Sequence, residues 1–239
     1  MDKKLKKAGV IGAGVMGATI AAHLANVGIE TVLLDIVLPE LTEDDKKKGL
    51  TTESKAFRNK LAQNGVKTAL KSKPASFYVP ENAKLITIGN LEDNLEWLSG
   101  VDLIIEVVVE LLKIKKSVFE KIETVLTPGT IITSNTSGIS AAAMCEGRSE
   151  EFRKHFAITH FFNPPRYMKL LEIVPGPDTL PDVVEFLGEA CEKIVGKGIV
   201  YAKDTPNFVA NRIGTYSMLH GIQTMLDPVS YTHLTLPTN

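Results

Sequence analysis

Nine residues near the start of the chain, Gly9-Val10-Ile11-Gly12-Ala13-Gly14-Val15-Met16-Gly17, restrict its fold more than any other stretch. An apolar run from Ala8 to Ile11 leads into three glycines spaced G-x-G-x-x-G. Residues 18–25 are small and helix-forming, and Gly28 can end the helix they make. Strand, glycine turn and helix in that order are the context in which this spacing signals a dinucleotide site. Gly12 permits a tight turn, Gly14 lets the backbone approach a pyrophosphate, and Gly17 lets the helix pack close to the strand. Val15 and Met16, between the last two glycines, share that cradle, where free N–H groups at a helix N-terminus favour phosphate. A second strand at 30–35 ends on Asp35, eighteen residues after Gly17. A carboxylate there can hold the adenosine ribose and repels a 2′-phosphate, which favours NAD over NADP. The alternative is a plain strand-to-helix turn with a solvated aspartate.

The chain has 239 residues, 44% of them hydrophobic, and a formal net charge of −1. This is enough for one large α/β domain and part of another. The charge balance gives no sign of a nucleic-acid partner. No apolar run reaches the roughly 20 residues of a membrane span. The basic N-terminus leads into the glycine motif rather than a signal-peptide core. Only Cys145 and Cys191 occur, each in a helix-like stretch, which fits buried thiols in a reduced, cytoplasmic setting. No Cys/His cluster has zinc spacing, and no metal is expected.

From about 41 to 80 the α/β pattern is interrupted by a polar segment with helices predicted at 52–64 and 66–73. Between Lys46 and Lys73 nine Lys or Arg face a single acid, Glu53. This local positive field suits a polyphosphate larger than the dinucleotide alone, although a solvated helical hairpin is equally compatible with the composition. Strands are then expected at 83–88, 101–109, 130–136, 156–162, 170–174 and 199–202. Asn90 is expected to cap a short helix through Trp97, Ser140 to cap another, and helices to run over 113–126 and 181–195. This alternation predicts an α/β, Rossmann-type, doubly wound and mostly parallel sheet with a helical insertion over 1–203. Thr205 as cap and Pro206 at the first helical position then open a long helix over 207–226. It reads as the first helix of a truncated all-α domain, 204–227. Residues 228–239 continue no pattern, and 229–239 resemble the translation of a sequencing-library adapter. They are read as a non-native tail, and His233 is given no role.

Three stretches carry polar residues that a parallel-sheet core does not need: Ser134-Asn135-Thr136-Ser137, His160-Phe161-Phe162-Asn163, and Glu172 among aliphatic residues. The first two fall at strand ends, the edge where open α/β sheets bind ligands. His160 and Glu172 are twelve residues apart with Pro164-Pro165 between them. If their strands are neighbours, the carboxylate reaches the imidazole and stabilises its protonated form. A histidine flanked by phenylalanines can equally be a satisfied core residue.

The glycine motif, Glu106–Glu110, Ser134–Ser137, His160–Pro164, Lys169–Glu172 and Lys203–Asn207 together resemble the 3-hydroxyacyl-CoA dehydrogenase family over Lys7 to about Leu226. The resemblance is greatest to the dehydrogenase portion of a large bacterial β-oxidation protein. It implies NAD-dependent oxidation of L-3-hydroxyacyl-CoA, with His160 as acid/base, Glu172 as its partner, and Ser137 and Asn163 at the reacting oxygen. It further implies Asn211 as an active-site asparagine from the second domain, and Glu110 and Lys115 near the nicotinamide. The implied partners are an acyl-CoA substrate and, in the full-length protein, other subunits or a fused enoyl-CoA hydratase region. A short-substrate β-hydroxyacid dehydrogenase and a non-catalytic NAD(H)-binding module are the alternatives.

Overall fold

The computed structural model describes residues 4–226. β1 (Lys7–Ile11), α1 (Val15–Asn26) and β2 (Glu30–Asp35) follow the expected strand–turn–helix–strand order. The insertion forms α2 (Glu43–Lys47), α3 (Lys55–Arg58) and α4 (Lys60–Lys71), and leads into β3 (Ile86–Asn90). β4 (Leu103–Glu106), α5 (Leu112–Glu123), β5 (Ile131–Ser134), α6 (Ala141–Cys145), α7 (Glu150–Lys154) and β6 (Phe156–Phe161) continue the alternation. β7 (Leu170–Pro175), α8 (Pro181–Lys193), β8 (Gly198–Tyr201) and α9 (Ala210–Leu226) complete the described chain.

The eight strands form one sheet in the order β3-β2-β1-β4-β5-β6-β7-β8. β1 to β6 are parallel, and β7 runs antiparallel to β6. Successive strand residues point to opposite faces, and both faces are covered. Val10, Leu33 and Ile105 therefore meet α1, α4 and α8, while Ile11, Val32, Leu34 and Ile104 meet α5, α6 and α7. Phe119, Phe152 and Phe156, with ring centres 5.2–5.5 Å apart, anchor the second face. The strand order reverses between β1 and β4, so the crevice at their carboxyl ends is the ligand edge of such a sheet.

The structure departs from the sequence expectations at particular residues. Strand β3 begins at Ile86 rather than 83, because a 3-10 turn starting at Pro80 runs to Leu85. Asn90 caps no helix: it ends β3, and its side-chain oxygen closes a turn by accepting from the amides of Glu92 and Asp93. The insertion breaks at Asn59, not near Gly65. Gly65 lies inside α4, where a Cβ would stand 2.5 Å from the Ala13 carbonyl. That close approach seats α4 on α1, with Ala62, Val66 and Ala69 buried.

The basic segment is also less unbalanced than its composition. Lys60 pairs with buried Asp45 at 2.6 Å, Lys46 with Glu43, and Arg58 with Glu92 and Asp93. Hydrogen bonds from Lys60 and Thr42 hold Asp45 down to about 2. Lys47, Lys48, Lys55, Lys67, Lys71 and Lys73 remain exposed.

The last helix starts at Ala210 rather than 207. Asn207 and Phe208 adopt left-handed φ of 63° and 47°, which turns Phe208 into the core at 2% exposure. Asp204 accepts from Ser140 Oγ and the Ala141 and Ala142 amides, tying this segment to α6. The side chains of residues 212–226 are exposed. The tail read as non-native lies outside the described residues.

Candidate active site

The cradle is built by what its glycines lack. A Cβ on Gly12, at φ +100°, would meet the Val107 carbonyl at 2.6 Å, and one on Gly17 would meet the Gly12 carbonyl at 1.8 Å. Around the Cβ position of Gly14, by contrast, nothing lies within 4 Å. Gly14 is also the N-cap of α1 and offers no side-chain cap, so no cap side chain competes for the helix's first-turn amides. Val15 is 65% exposed at that opening and Met16 half-buried. Asp35 ends β2 beside it, accepting from the amides of Ala13 (2.6 Å) and Ile36 (2.7 Å). A cleft of about 340 Å³ continues from Gly14 and Asp35 between α1 and α4, past Leu61, Gly65, Thr68 and Ser72. These residues fit a dinucleotide, with phosphate at the uncapped helix and a ribose at the carboxylate.

At the carboxyl ends of β4 and β5 lies a buried charge cluster. Lys115, 1% exposed, donates to both oxygens of fully buried Glu106 at 2.9 and 3.1 Å. Ser134 Oγ and the Val108 amide complete Glu106, each at 2.6 Å. Lys115 also pairs with Glu110 at 3.2 Å. Glu110 in turn accepts from Thr136 Oγ1 and from the Ser137 amide at 2.9 Å. Burial alone would raise the Glu110 carboxyl, but these hydrogen bonds and the Lys115 charge outweigh it and hold it below its ordinary value.

His160 and Glu172 are register partners across β6 and β7, and His160 Nδ1 lies 2.7 Å from Glu172 Oε2. An ionised carboxylate only accepts, so Nδ1 is the donor of this bond, and in the neutral ring Nε2 is then the nitrogen with the lone pair. Glu172 Oε1 takes the amides of Val209 (3.0 Å) and Ala210 (2.8 Å). The imidazole sits by Phe162, at 4.5 Å between ring centres, and Phe208, at 5.8 Å.

The remaining candidates are placed less tightly. Asn211 Nδ2 reaches the Ser137 carbonyl at 3.5 Å, bringing the start of α9 to the end of β5. Asn163 is exposed just past β6, and among the described residues no hydrogen bond or ion pair ties it to the others. Both cysteines are free and buried, and burial pushes each thiol up to about 12, which leaves neither as a nucleophile.

Sequence reasoning missed three contributors. Glu106 interrupts an aliphatic run just as Glu172 does, so the same signal was available for it. Lys197 is buried and donates to the carbonyls of Pro165 and Met168 (2.9 Å for the latter), pinning the loop that follows His160; burial pushes its amine down to about 8. Phe208 carried no chemical signal at all.

An uncapped glycine cradle beside the carboxylate that ends β2, at the strand-order reversal of a doubly wound sheet, defines a dinucleotide-binding α/β protein. Residues 7–205 match the family described as "3-hydroxyacyl-CoA dehydrogenase, NAD binding domain", and the chain belongs to that family. It is 53% identical over 226 residues to a probable 3-hydroxyacyl-CoA dehydrogenase of Bacillus subtilis, covering 95% of this chain and 29% of the relative. A protein of the same name from Deinococcus radiodurans is 48% identical over 238 residues, covering 98% of this chain and 65% of the relative. The chain thus spans less than two thirds of either. Among solved structures, 3-hydroxybutyryl-CoA dehydrogenase from Escherichia coli superposes with a TM-score of 0.71 at 29% identity, over 95% of this chain and 44% of that one. Among the described residues no helix is long and apolar enough to cross a membrane.

Proposed function

We propose that this domain serves the NAD-dependent oxidation of L-3-hydroxyacyl-CoA to 3-oxoacyl-CoA in fatty-acid β-oxidation. The observation that carries the reading is the 2.7 Å contact between His160 Nδ1 and Glu172 Oε2 at the carboxyl edge of the sheet. Glu172 fixes the tautomer, so His160 Nε2 is the base that takes the substrate hydroxyl proton, and the carboxylate stabilises the imidazolium that results. NAD, when bound, supplies the acceptor for the hydride leaving C3. Asp35 holds the adenosine ribose, and the amides after Gly14 hold the phosphates. Glu110 and Lys115 stand at the nicotinamide side. Ser137, Asn163 and Asn211 orient the reacting oxygen.

The exposed lysines between 46 and 73 give the CoA phosphates a positive surface. The buried thiols support a cytoplasmic setting. The family domain ends near residue 205, and α9 begins a helical domain. The complete protein is read as oligomeric or joined to an enoyl-CoA hydratase region.

The test uses the full-length protein with an (S)-3-hydroxyacyl-CoA and NAD, and absorbance of NADH as readout. His160→Ala should lower kcat by roughly 10²–10⁴, the usual range for losing a general base, while NADH affinity persists. Glu172→Gln should lower kcat in the same direction. A His160→Ala protein with unchanged turnover overturns the assignment.

A further inference from the structure

Glu172 is committed on both oxygens. Oε2 meets His160, and Oε1 accepts from two consecutive amides, Val209 and Ala210, at the start of α9. The carboxylate is wholly buried, so it cannot turn toward water without breaking these bonds. The chain is bent unusually to make them. Asn207 and Phe208 are consecutive non-glycine residues in the left-handed region. Asparagine tolerates that region, whereas a phenylalanine there is a strained outlier, and such strain persists only where the surroundings enforce it. Two features profit from the bend. The Phe208 ring enters the core edge-on to His160, at 62° between planes, while Phe162 packs against the imidazole at 4.5 Å. The following two amides point at Glu172.

We propose that residues 207–210 are the positioning element of the His160–Glu172 pair, coupling the docking of α9 to the orientation of the imidazole. The proposal rests on the proton-transfer role given to His160 above. It adds that residues with no chemistry of their own, Phe208 and the backbone of Val209 and Ala210, decide whether the pair is held in place. When the first turn of α9 is docked, Glu172 has one available orientation and His160 Nε2 one direction. When it is undocked, Oε1 loses both donors and the Phe208 side of the imidazole opens.

Ala210 offers a clean perturbation because it is the first residue of α9. Proline is well accepted at that position, where it removes the amide without breaking the helix. The full 239-residue chain is compared with Ala210→Pro, and with Phe208→Leu, which keeps an apolar side chain but removes the ring. Two readouts are taken. The first is the downfield proton resonance of His160 Nδ1–H, assigned by its loss in His160→Gln and independent of turnover. The second is kcat against KM with (S)-3-hydroxyacyl-CoA. Both variants should broaden or lose the resonance, and kcat should fall about tenfold with KM and NADH affinity within twofold, as expected from misplacing a catalytic group. Ala210→Ser, which keeps the amide, should restore both readouts. A sharp, unshifted resonance in both variants overturns the proposal. If the resonance depends on Ala210 but kcat follows it in neither variant, the positioning stands and the proton-transfer role given to His160 falls.

Discussion

Replacing Lys115 with methionine removes the cation that meets Glu106 and leaves the carboxylate behind. Glu106 is wholly buried and Lys115 is 1% exposed, so neither charge is relieved by solvent. Breaking a buried pair by deleting one partner costs roughly 3–5 kcal/mol, because the remaining charge is left uncompensated. The Ser134 hydroxyl and the Val108 amide still bond to Glu106, which places the expected loss near the lower end, about 3 kcal/mol. For a domain of this size that corresponds to a fall in Tm of about 6–12 °C. The single tryptophan, Trp97, gives a fluorescence signal for urea and thermal unfolding. Glu106→Gln in the same chain removes the stranded charge: its amide oxygen can accept from the Val108 amide, and its NH2 group can donate to the Ser134 hydroxyl oxygen. The double variant should therefore recover to within about 1 kcal/mol of wild type. NADH affinity should not recover with it, because Glu110 has lost its cation and no longer holds the Ser137 amide as firmly. A single variant as stable as wild type, or a double variant no better than the single, would refute the electrostatic account of this cluster.

Asp35→Ala should shrink the preference for NADH over NADPH in equilibrium binding; equal affinity of the unmutated chain for both would sink the ribose assignment. His23 is buried on α1 with burial and the Lys197 charge lowering it from 6.5 to about 4, so it stays neutral in the fold while the unfolded chain protonates. Stability should be intact above pH 6.5 and decline as pH falls towards 4, by up to about 3 kcal/mol, and His23→Gln should flatten that part of the stability–pH curve. A chain cut after Lys203 should be less stable than one cut after Asn211. It loses the Phe208 side chain, about 3–5 kcal/mol, and the Asp204 bonds to α6, about 1 kcal/mol. Calorimetric Tm values for the two chains that coincide would show that this segment contributes nothing to the core.

The glycine motif and Asp35 were legible because each rests on a local requirement. The turn needs a residue without Cβ at Gly12 and Gly17, and the strand after it delivers its last side chain to the crevice. The strands were legible for a related reason: a sheet covered on both faces needs apolar residues at every position, and such runs stand out. Their ends were not. Pro80 and Asn90 can each start a helix or a turn, and the choice fell to contacts with neighbouring segments rather than to the residues themselves. Composition overstates the charge of the basic segment for the same reason. Two of the acids that pair with it, Asp45 and Asp93, lie outside residues 46–73, and only the fold brings them to Lys60 and Arg58.

The site divides along the same line. His160 and Glu172 were found because a polar side chain at the end of an apolar strand needs a partner, and twelve residues with a turn between them supply one. What holds that partner in place could not be read this way. The groups that bond Glu172 Oε1 are backbone amides, which every residue but proline has, so no letter of the sequence marks them. Phe208 looked like one more apolar position on an amphipathic helix. Its left-handed φ takes it off the helix altogether and puts it against the imidazole. A periodicity argument assigns residues 207–209 to α9 because it counts apolar spacing; the chain instead gives up that turn of helix, and Glu172 takes the place of the cap that Thr205 was expected to provide. The carboxylate that orients the histidine is thus also the cap of the helix that follows. The first residue of α9 and the His160–Glu172 pair share a single group.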